Sequence, residues 1–480
     1  MESQAKVYGV DRQARCITSI ANSDEKSEFL IGTIGLDKKN KIHLLQIDDE
    51  EGELSSQIFD HEEEIWDIQS APWDPSLIFT VHSDYVDEKW VRAASAFKLV
   101  TVEDNSSDYY SDQTGEVLGG SNFRSSLLPL TKLKTGQDSG LIQKIVFGKH
   151  LQDPKRFGIL GFNTLSLWDF EGNGTIKKIN SVYDPNKTND GFDQLQQNTQ
   201  LFDAKFIGNG NVAILGQSNG KVVGVDVRSD NSNKDFSIGV SRWGNIISVD
   251  GNPNIEYQIV TGGEDGIVRI FDLRNNISEI SSNSVENSEH GNKLLEIGDY
   301  THTHWVCSVE YNHFHDQLVL SSGSDARVNM HSIYSVSSAN TFVNYLSQNN
   351  NSNDPKTLNV GSQNGKNTGF DDDMDLGYDI AESEFSGFSQ NNSPKENGFD
   401  TTVNDSWLNP DNNTTDSGSD SNYETFNKND GLVAHFDDHE TSVYRACWSK
   451  TNPWLFTSLS LDGRVVVNYV PKSEKYKILL

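Results

Sequence analysis

Residues 216 to 220, GQSNG, have the Gly-x-Ser-x-Gly spacing of the turn that presents a nucleophilic serine in many hydrolases. That chemistry requires a turn from a strand into a helix, with backbone N–H groups beside it to stabilise an oxyanion. Here the next residues are KVVGVDV, whose alternating apolar pattern is typical of a strand. The segment also fails as a phosphate-binding loop, because three residues separate its glycines instead of four and Val222 stands where Ser or Thr would bind magnesium. We therefore predict that Ser218 lies in a hairpin turn.

Histidines in the segments THTHW (301 to 305), NHFHD (312 to 316) and HFDDHE (435 to 440) are the other residues whose types suggest chemistry. A metal site needs three or four converging ligands, and no cysteine or carboxylate lies at a recognisable metal spacing from these pairs. We therefore predict neither a metal nor a cofactor. His61, His304 and His439 each precede the first strand of a repeat described below, so we expect them to make structural hydrogen bonds.

The composition narrows the classes of partner. The 480 residues include 39 Lys and Arg against 70 Asp and Glu, a formal net charge of -31, and no basic patch offsets this field. Nucleic acid and anionic membrane surfaces are therefore poor partners. The three cysteines, Cys16, Cys307 and Cys447, lie in apolar runs, which is typical of buried thiols in a reducing compartment. With no signal-peptide pattern and no long apolar window, we expect a cytoplasmic, non-catalytic protein that binds other proteins.

A unit of short strands around a Gly/Asp turn recurs along the chain, and three copies show it best: residues 245 to 274, 305 to 334 and 442 to 470. In each copy an aspartate has the same place in the turn, where its side chain can bond local backbone and fix a hairpin. These structural aspartates are Asp265, Asp325 and Asp462. The alternation in IVRIFDL and RVVVNYV is the pattern of a half-buried strand.

Four weaker copies bring the repeats to seven, which predicts an all-β fold: a seven-bladed β-propeller of the WD-repeat type with long disordered polar insertions. The predicted blades are 13–60, 61–134, 139–184, 199–239, 245–300, 305–440 and 442–480. A ring of blades needs a closing strand, and both residues 5–10 and the final KYKILL are candidates for it. We expect a single propeller that is monomeric within a larger assembly.

The stretch from 337 to 430 is rich in Asn, Ser and Asp and has few aliphatic residues. Such a segment cannot bury enough apolar surface to offset the entropy of ordering it, so we predict a disordered insertion in the sixth blade. Its role is open from sequence.

Aromatic residues at the start of several first strands are the candidates for partner contact, because aromatics at an exposed rim are typical interface anchors. They are Trp66, Trp243, Trp305 and Tyr444. The alternative for each is that it packs between neighbouring blades, and sequence alone does not separate the two.

Two Asp-x-Arg pairs end the third strands of consecutive blades: Asp226 with Arg228, and Asp272 with Arg274. In WD-repeat proteins such pairs resemble the docking box by which substrate receptors attach to the adaptor of a cullin-type ubiquitin ligase. A substrate receptor is therefore the alternative function. The simpler interpretation, which we favour, is an ion pair that ties one blade to the next.

Residues 7 to 15 (VYGVDRQAR), 64 to 68 (EIWDI), 312 to 328 (NHFHDQLVLSSGSDARV) and 442 to 480 together resemble the EARP and GARP complex-interacting protein family. The resemblance runs from the first strand to the last residue and is strongest in the fifth to seventh repeats. It implies a scaffold that acts with the endosome-associated recycling and Golgi-associated retrograde tethering complexes, in transport from endosomes to recycling endosomes or the trans-Golgi network. It also implies a peripheral location at those membranes. No family motif assigns the contact residues or the subunit contacted.

Overall fold

A computed structural model describes most of the chain outside the long polar stretches. The described residues are 5–21, 26–37, 39–48, 52–86, 88–103, 123–133, 141–148, 155–171, 174–184, 199–228, 236–241, 244–274, 293–297, 301–340 and 430–480. The insertion predicted at 337–430 lies outside them except for residues 337–340 and 430, and so does Trp243.

The described strands form seven antiparallel sheets of four strands each, so the chain is a seven-bladed β-propeller. Blades are numbered here in the chain order of their first strand. Blade 1 contains β2 (Gln13–Ile20), β3 (Lys26–Ile34), β4 (Asn40–Asp48) and β5 (Leu54–His61). Blade 2 contains β6 (Ile65–Ala71), β7 (Asp74–Val86), β8 (Lys89–Glu103) and β9 (Phe123–Leu133). Blade 3 contains β10 (Lys144–Phe147), β11 (Arg156–Leu160), β12 (Leu165–Phe170) and β13 (Ile176–Tyr183).

The remaining four blades repeat this order. Blade 4 contains β14 (Leu201–Ile207), β15 (Val212–Gln217), β16 (Lys221–Asp226) and β17 (Phe236–Gly239). Blade 5 contains β18 (Ile246–Gly251), β19 (Gln258–Gly263), β20 (Val268–Asp272) and β21 (Lys293–Ile297). Blade 6 contains β22 (Val306–Tyr311), β23 (Leu318–Gly323), β24 (Val328–Ile333) and β25 (Asp430–Phe436), with a 3₁₀ turn at Tyr334–Val336. Blade 7 contains β26 (Val443–Trp448), β27 (Leu455–Ser460), β28 (Arg464–Tyr469) and β1 (Lys6–Gly9).

The two ends of the chain meet at blade 7. Strand β1 pairs with β28 in a register that sets Lys6 opposite Val467 and Gly9 opposite Arg464. The C-terminal KYKILL, the other candidate for this place, instead forms the end of helix α1 (Lys472–Leu479). Because the first strand completes the last sheet, residues from both ends of the chain lie in one blade, and this closes the ring. Within the described residues, no helix is long and apolar enough to cross a membrane.

The hydrophobic core is divided among the spaces between blades. Seven apolar clusters of described residues each draw their members from two adjacent blades. Val260 of blade 5 packs with Val306 and Tyr311 of blade 6, for example, and Ile17 of blade 1 shares a cluster with Val467 of blade 7. Apolar contact between neighbours therefore holds every blade, including the last against the first.

The expectation of half-buried strands is wrong for the third strands of the blades. Val465, Val466 and Val467 follow one another in β28, point alternately to opposite faces, and are all 0% exposed. Each blade is covered by the preceding blade on one face and by the following blade on the other. Both alternating sets of side chains are therefore removed from water.

Candidate functional site

The first strand of each blade lies innermost, and together these seven strands surround a cavity of about 550 Å³ on the axis of the ring. Six of them carry a β-bulge near their start, which leaves one residue without a partner in the neighbouring strand. A bulge turns the side chain of its extra residue away from the regular alternation. The bulged residues are Arg15, Trp66, Phe202, Ile247, Cys307 and Tyr444, and all of them line the cavity. We call their end of the cavity the channel mouth.

Next to the bulges, polar side chains of the first strands connect blades 2 to 7, each to the next. In four of these connections a backbone N–H of one blade donates a hydrogen bond to a side chain of the preceding blade. The pairs are Ile145 to Asp67 (3.0 Å), Val249 to Asp203 (3.0 Å), Val309 to Ser248 (3.2 Å) and Ala446 to Ser308 (3.1 Å). Lys144 Nζ joins blades 3 and 4 by donating to Asp203 at 2.5 Å. We call this set, Asp67, Lys144, Asp203, Ser248 and Ser308, the interblade belt. It satisfies buried backbone groups and fixes the order of the blades around the channel.

The charges below the channel mouth are paired within the ring. Burial opposes ionisation of Asp203, but the charge of Lys144 and hydrogen bonds from Lys144 and Val249 lower the pKa of this carboxyl. Lys205 of blade 4 pairs with Asp250 of blade 5 at 2.8 Å. Burial alone would lower the pKa of Lys205, yet the carboxylate of Asp250 raises it. Asp203 and Lys205 are therefore held in their charged forms and are already matched by partners within the ring, which is the arrangement of a structural network.

At the channel mouth itself, arginine side chains lie on aromatic rings. The guanidinium carbon of Arg92 is 4.1 Å from the ring centre of Trp66, and that of Arg15 is 4.4 Å from the ring centre of Tyr444. The guanidinium carbon of Arg15 also lies 5.4 Å from the ring centre of Trp66, so the two arginines and two aromatics form one continuous group. Cation–π contacts of this kind hold the guanidinium plane while leaving its N–H donors available.

The four aromatic candidates for partner contact occupy different environments. Trp305 is 45% exposed and lies against His304, with 5.2 Å between ring centres. Trp66 and Tyr444 are partly buried at the channel mouth, and Trp66 also packs against the apolar cluster between blades 2 and 3. Trp243 lies outside the described residues. Partner contact by these residues stays a prediction, in which Trp305 presents the largest free surface of the three described.

A second exposed aromatic group near the channel mouth was not anticipated from the sequence. Strands β7 and β8 form a long hairpin whose tip exposes Tyr85 (57%) and Trp90 (61%), with their ring centres 5.3 Å apart. The signal in the sequence is SDYVDEKWV, two aromatics that flank an acidic turn inside two unusually long strand patterns. The recurring unit of short strands conceals this signal, because in that unit each strand ends near the turn.

Both Asp-x-Arg pairs are local. Arg228 donates to Asp226 at 2.7 Å and Arg274 donates to Asp272 at 2.7 Å, each across two residues of one strand end. The expectation that the pairs tie one blade to the next is therefore wrong: each closes a turn within its own blade. The guanidinium of Arg274 also lies 3.4 Å from the ring centre of Tyr257, in the same blade. Adaptor docking by these residues is left as a prediction.

The three turn aspartates each accept a hydrogen bond from the backbone N–H two residues ahead. The distances are 3.2 Å for Asp265 to Ile267, 3.3 Å for Asp325 to Arg327 and 3.5 Å for Asp462 to Arg464. Asp265 also pairs with the guanidinium of Arg269 at 2.6 Å. Side chains that bond the backbone in this way hold the chain in the turn. Ser218, by comparison, lies in the turn between β15 and β16, so no helix follows it.

All three histidines that precede first strands bond the blade that follows, two of them from buried positions. His61 Nε2 lies 3.3 Å from the Thr80 hydroxyl, and the ring nitrogens of His439 lie 2.7 and 2.8 Å from Ser458 and Ser460. Burial lowers the pKa of His61 and of His439 to about 4, so both rings are neutral at physiological pH.

In blade 6 the buried histidine before the first strand is His302, which the sequence did not single out, whereas His304 bonds the same blade from an exposed position. His302 is buried, with Nδ1 3.0 Å from Asp325 and Nε2 2.8 Å from the Ser321 hydroxyl. His304 is exposed and contacts the Ser324 hydroxyl. Within the part of the chain that the structure describes, no group of three or more His, Cys, Asp or Glu side chains is arranged to hold a metal ion.

The groups that could act as nucleophiles are not tuned for it. Burial raises the pKa of Cys307 and of Cys447 to about 12, and it raises the pKa of Cys16 further, so these thiols stay protonated. Burial lowers the pKa of Lys450 to about 8, but Lys450 is not among the residues that line the cavity. The arrangement is suited to binding by aromatic and guanidinium groups.

Comparison with known proteins adds an independent line of observation. Residues 2–108 match the family model described as EIPR1 beta-propeller, and residues 431–467 match that of the WD domain, G-beta repeat. The chain is 26% identical both to the EARP-interacting protein homolog of Gekko japonicus and to EARP and GARP complex-interacting protein 1 of Homo sapiens, over 100% of each chain. It is 24% identical to EARP-interacting protein 1 of Caenorhabditis elegans, over 99% of each chain.

Proposed function

We propose that the chain is a member of the EARP and GARP complex-interacting protein family and, as such, a non-catalytic binding partner of the two tethering complexes. These are the endosome-associated recycling and the Golgi-associated retrograde complexes. The observation that carries the proposal is the similarity over the full length to proteins named for this interaction. Similarity that spans all the blades favours a shared role for the whole ring.

In this role the propeller is a rigid scaffold. Its blades are joined by apolar clusters on both faces and by the interblade belt, so little conformational entropy is lost when a partner binds. The protein then acts in transport from endosomes to recycling endosomes or the trans-Golgi network. It is cytoplasmic and peripheral at those membranes, held there through its protein partners.

The channel mouth is the face that we assign to partner contact. It combines an exposed Trp305 with Trp66 and Tyr444, whose rings are covered in part by arginines. Trp, Tyr and Arg are the residue types enriched at the centres of protein interfaces. The same face offers no activated nucleophile among the described residues, which favours binding over catalysis.

The test is affinity purification of the tagged full chain from cytosol at its natural level, with the recovered proteins identified by mass spectrometry. A second form lacks residues 341–429. Residues 338 and 430 are kept in it because Ser338 donates to Asp316 at 2.6 Å and Ser335 N–H donates to Asp430 at 2.9 Å. Recovery of tethering subunits with both forms is expected, and it would assign the interaction to the propeller.

Recovery of a cullin adaptor without any tethering subunit would contradict the proposal. A variant that carries Arg228→Ala and Arg274→Ala discriminates further. Both side chains are more than half exposed, at 58% and 59%, so an adaptor that uses them would be lost with the variant. The tethering subunits are expected to be retained.

A further inference from the structure

The hairpin of blade 2 projects beyond the level at which the other described blades turn. In blades 4 to 7 the second strand ends opposite the start of the first, as Gly263 does opposite Ile246 in blade 5. In blade 2 the corresponding pair is Ile65 with His82, yet β7 continues to Val86 and pairs there with Lys89 of β8. The extra residues place the hairpin tip beside the channel mouth.

One face of this hairpin is directed at the channel mouth. Tyr85 pairs with Trp90, and Ser83 pairs with Arg92 two residues further down, so the four side chains lie on the same face. At the lower pair, the Ser83 hydroxyl accepts a hydrogen bond from Trp66 Nε1 at 2.9 Å, and Arg92 lies on the ring of Trp66. The upper pair, Tyr85 and Trp90, therefore extends the aromatic surface of the channel mouth outward.

The two arginines of this surface have no anionic partner among the residues that the structure describes. Within the described ranges, no carboxylate lies within ion-pairing distance of the guanidinium of Arg15 or Arg92. The nearest acidic influence on Arg92 is Glu64, whose carboxylate instead accepts a hydrogen bond from Ser83 at 2.8 Å. Burial, and then the charge of Arg15, lower the pKa of Arg92, although it remains a cation at neutral pH. On a chain of net charge -31, these two cations are held close together and no described carboxylate pairs with either of them.

We propose that Tyr85, Trp90, Arg92, Trp66 and Arg15 form a docking surface for an acidic peptide segment of a protein partner. Carboxylates of the segment pair with the two guanidinium groups, and an apolar side chain beside them packs on Tyr85 and Trp90. The inference rests on the proposed function, because it supplies the chemistry by which a partner would be recognised.

The shape and the charge of the surroundings favour a peptide over other anions. The arginines border a concave cavity of about 550 Å³, which a flat membrane surface cannot enter. The net charge of -31 repels an extended polyanion such as nucleic acid. A short segment with a few carboxylates is repelled far less and gains charge-assisted hydrogen bonds to guanidinium donors.

The experiment selects peptides from a display library of random twelve-residue sequences on the immobilised full chain. Selected peptides are expected to contain Asp or Glu next to an aliphatic or aromatic residue. A selected peptide is then synthesised with a fluorescent label, alongside a version in which each Glu is Gln and each Asp is Asn. The affinity of the amide version is expected to be at least about tenfold lower.

Three variants of the full chain locate the site. Arg15→Glu with Arg92→Glu is expected to weaken binding of the labelled peptide by at least about tenfold, and Tyr85→Ser with Trp90→Ser by roughly as much. Lys177→Glu with Lys178→Glu, an exposed change of the same charge on blade 3, is the matched control and is expected to leave binding unchanged. Melting temperatures of all three establish that the ring is folded.

Selection of peptides without acidic residues, or binding that survives both double variants, would overturn the inference. Binding of the chain to vesicles of phosphatidylcholine and phosphatidylserine, with loss of that binding in the arginine variant and no peptide selected, would overturn it as well. If the peptide binds as expected while no tethering subunit co-purifies with the wild-type chain, the docking surface stands and the proposed function fails. If tethering subunits co-purify equally with wild type and both double variants, the docking surface fails and the proposed function stands.

Discussion

The interblade belt and the channel mouth lie at neighbouring levels of the innermost strands. Charged side chains pair with one another in the belt, whereas at the channel mouth they lie on aromatic rings. In the belt, Lys144 meets Asp203 at 2.5 Å, and Asp203 also accepts from the backbone of the next blade. At the channel mouth, Arg15 and Arg92 lie on aromatic rings and meet no described carboxylate. Charges that are paired inside the protein contribute to stability, whereas charges that are left unpaired at a concave surface are available to a partner.

The largest effect is expected from breaking the belt. In Asp203→Ala the ammonium of Lys144 and the N–H of Val249 lose their acceptor, while Val249 remains buried and Lys144 partly buried in the ring. Removing one member of a buried pair costs about 3–5 kcal/mol of unfolding free energy. Urea or thermal unfolding measures the difference. The control is Asp226→Ala, which removes an exposed pair and is expected to cost about 1 kcal/mol or less. Equal losses for the two variants would remove the distinction on which the comparison rests.

As the pH is lowered, the stability contributed by the neutral rings of His61 and His439 is expected to be lost before the stability contributed by Asp203 of the belt. The pKa of His61 and of His439 is about 4 in the folded protein and near 6.5 when unfolded, so the unfolded state binds more protons below pH 6.5. Stability is therefore complete above pH 6.5 and is lost as the pH falls toward 4, by on the order of 2 kcal/mol for each histidine at pH 5. Asp203, whose pKa is lowered, begins to lose its contribution only below its unfolded value near 4.

Thermal unfolding experiments between pH 7 and pH 4.5 measure this loss of stability. His439→Gln lowers stability at pH 7 because contacts to Ser458 and Ser460 change, but the slope against pH is expected to become shallower. An unchanged slope would show that His439 is not neutral in the folded protein.

The arginines of the channel mouth are expected to matter little for stability. Arg15→Ala and Arg92→Ala each remove a cation–π contact, and each also removes repulsion between two like charges. The net change in unfolding free energy is expected to be about 1 kcal/mol or less. A loss as large as that of Asp203→Ala would place these residues among the structural charges instead.

The smallest effect separates two exposed arginines with the same sequence pattern. Arg228 and Arg274 are exposed to nearly the same extent, 58% and 59%, and both bond an aspartate at 2.7 Å. The aspartate of Arg274 is buried, and Arg274 also lies on the aromatic ring of Tyr257. Arg274→Ala is therefore expected to cost roughly 0.5 kcal/mol more than Arg228→Ala in urea unfolding. The reverse order would show that the stacking contact contributes nothing.

Sequence reasoning was most successful where a local rule dictates structure. Turn aspartates such as Asp265 and Asp462 are recognisable because Asp next to Gly between two strand patterns favours a turn closed by the Asp side chain. The role of His302 is not recognisable in this way, since THTHW offers two histidines and only burial against Asp325 distinguishes His302 from His304. The fourth strands were also hard to recognise. Strand β13 (Ile176–Tyr183) is largely exposed in its first half, so it lacks the apolar pattern of an inner strand.

The sequence by itself determined the class of fold and the number of repeats, because strand patterns, turn residues and net charge are properties of short segments. The tertiary structure decided which face of each strand is buried, which end of the chain completes the last sheet, and which charges find a partner. These outcomes depend on neighbours distant along the chain: Val467 is buried against blade 1, and among the described residues Arg15 meets aromatic rings of blades 2 and 7 instead of a carboxylate. Closure of a ring is a long-range event, and no local pattern encodes which residues it brings together.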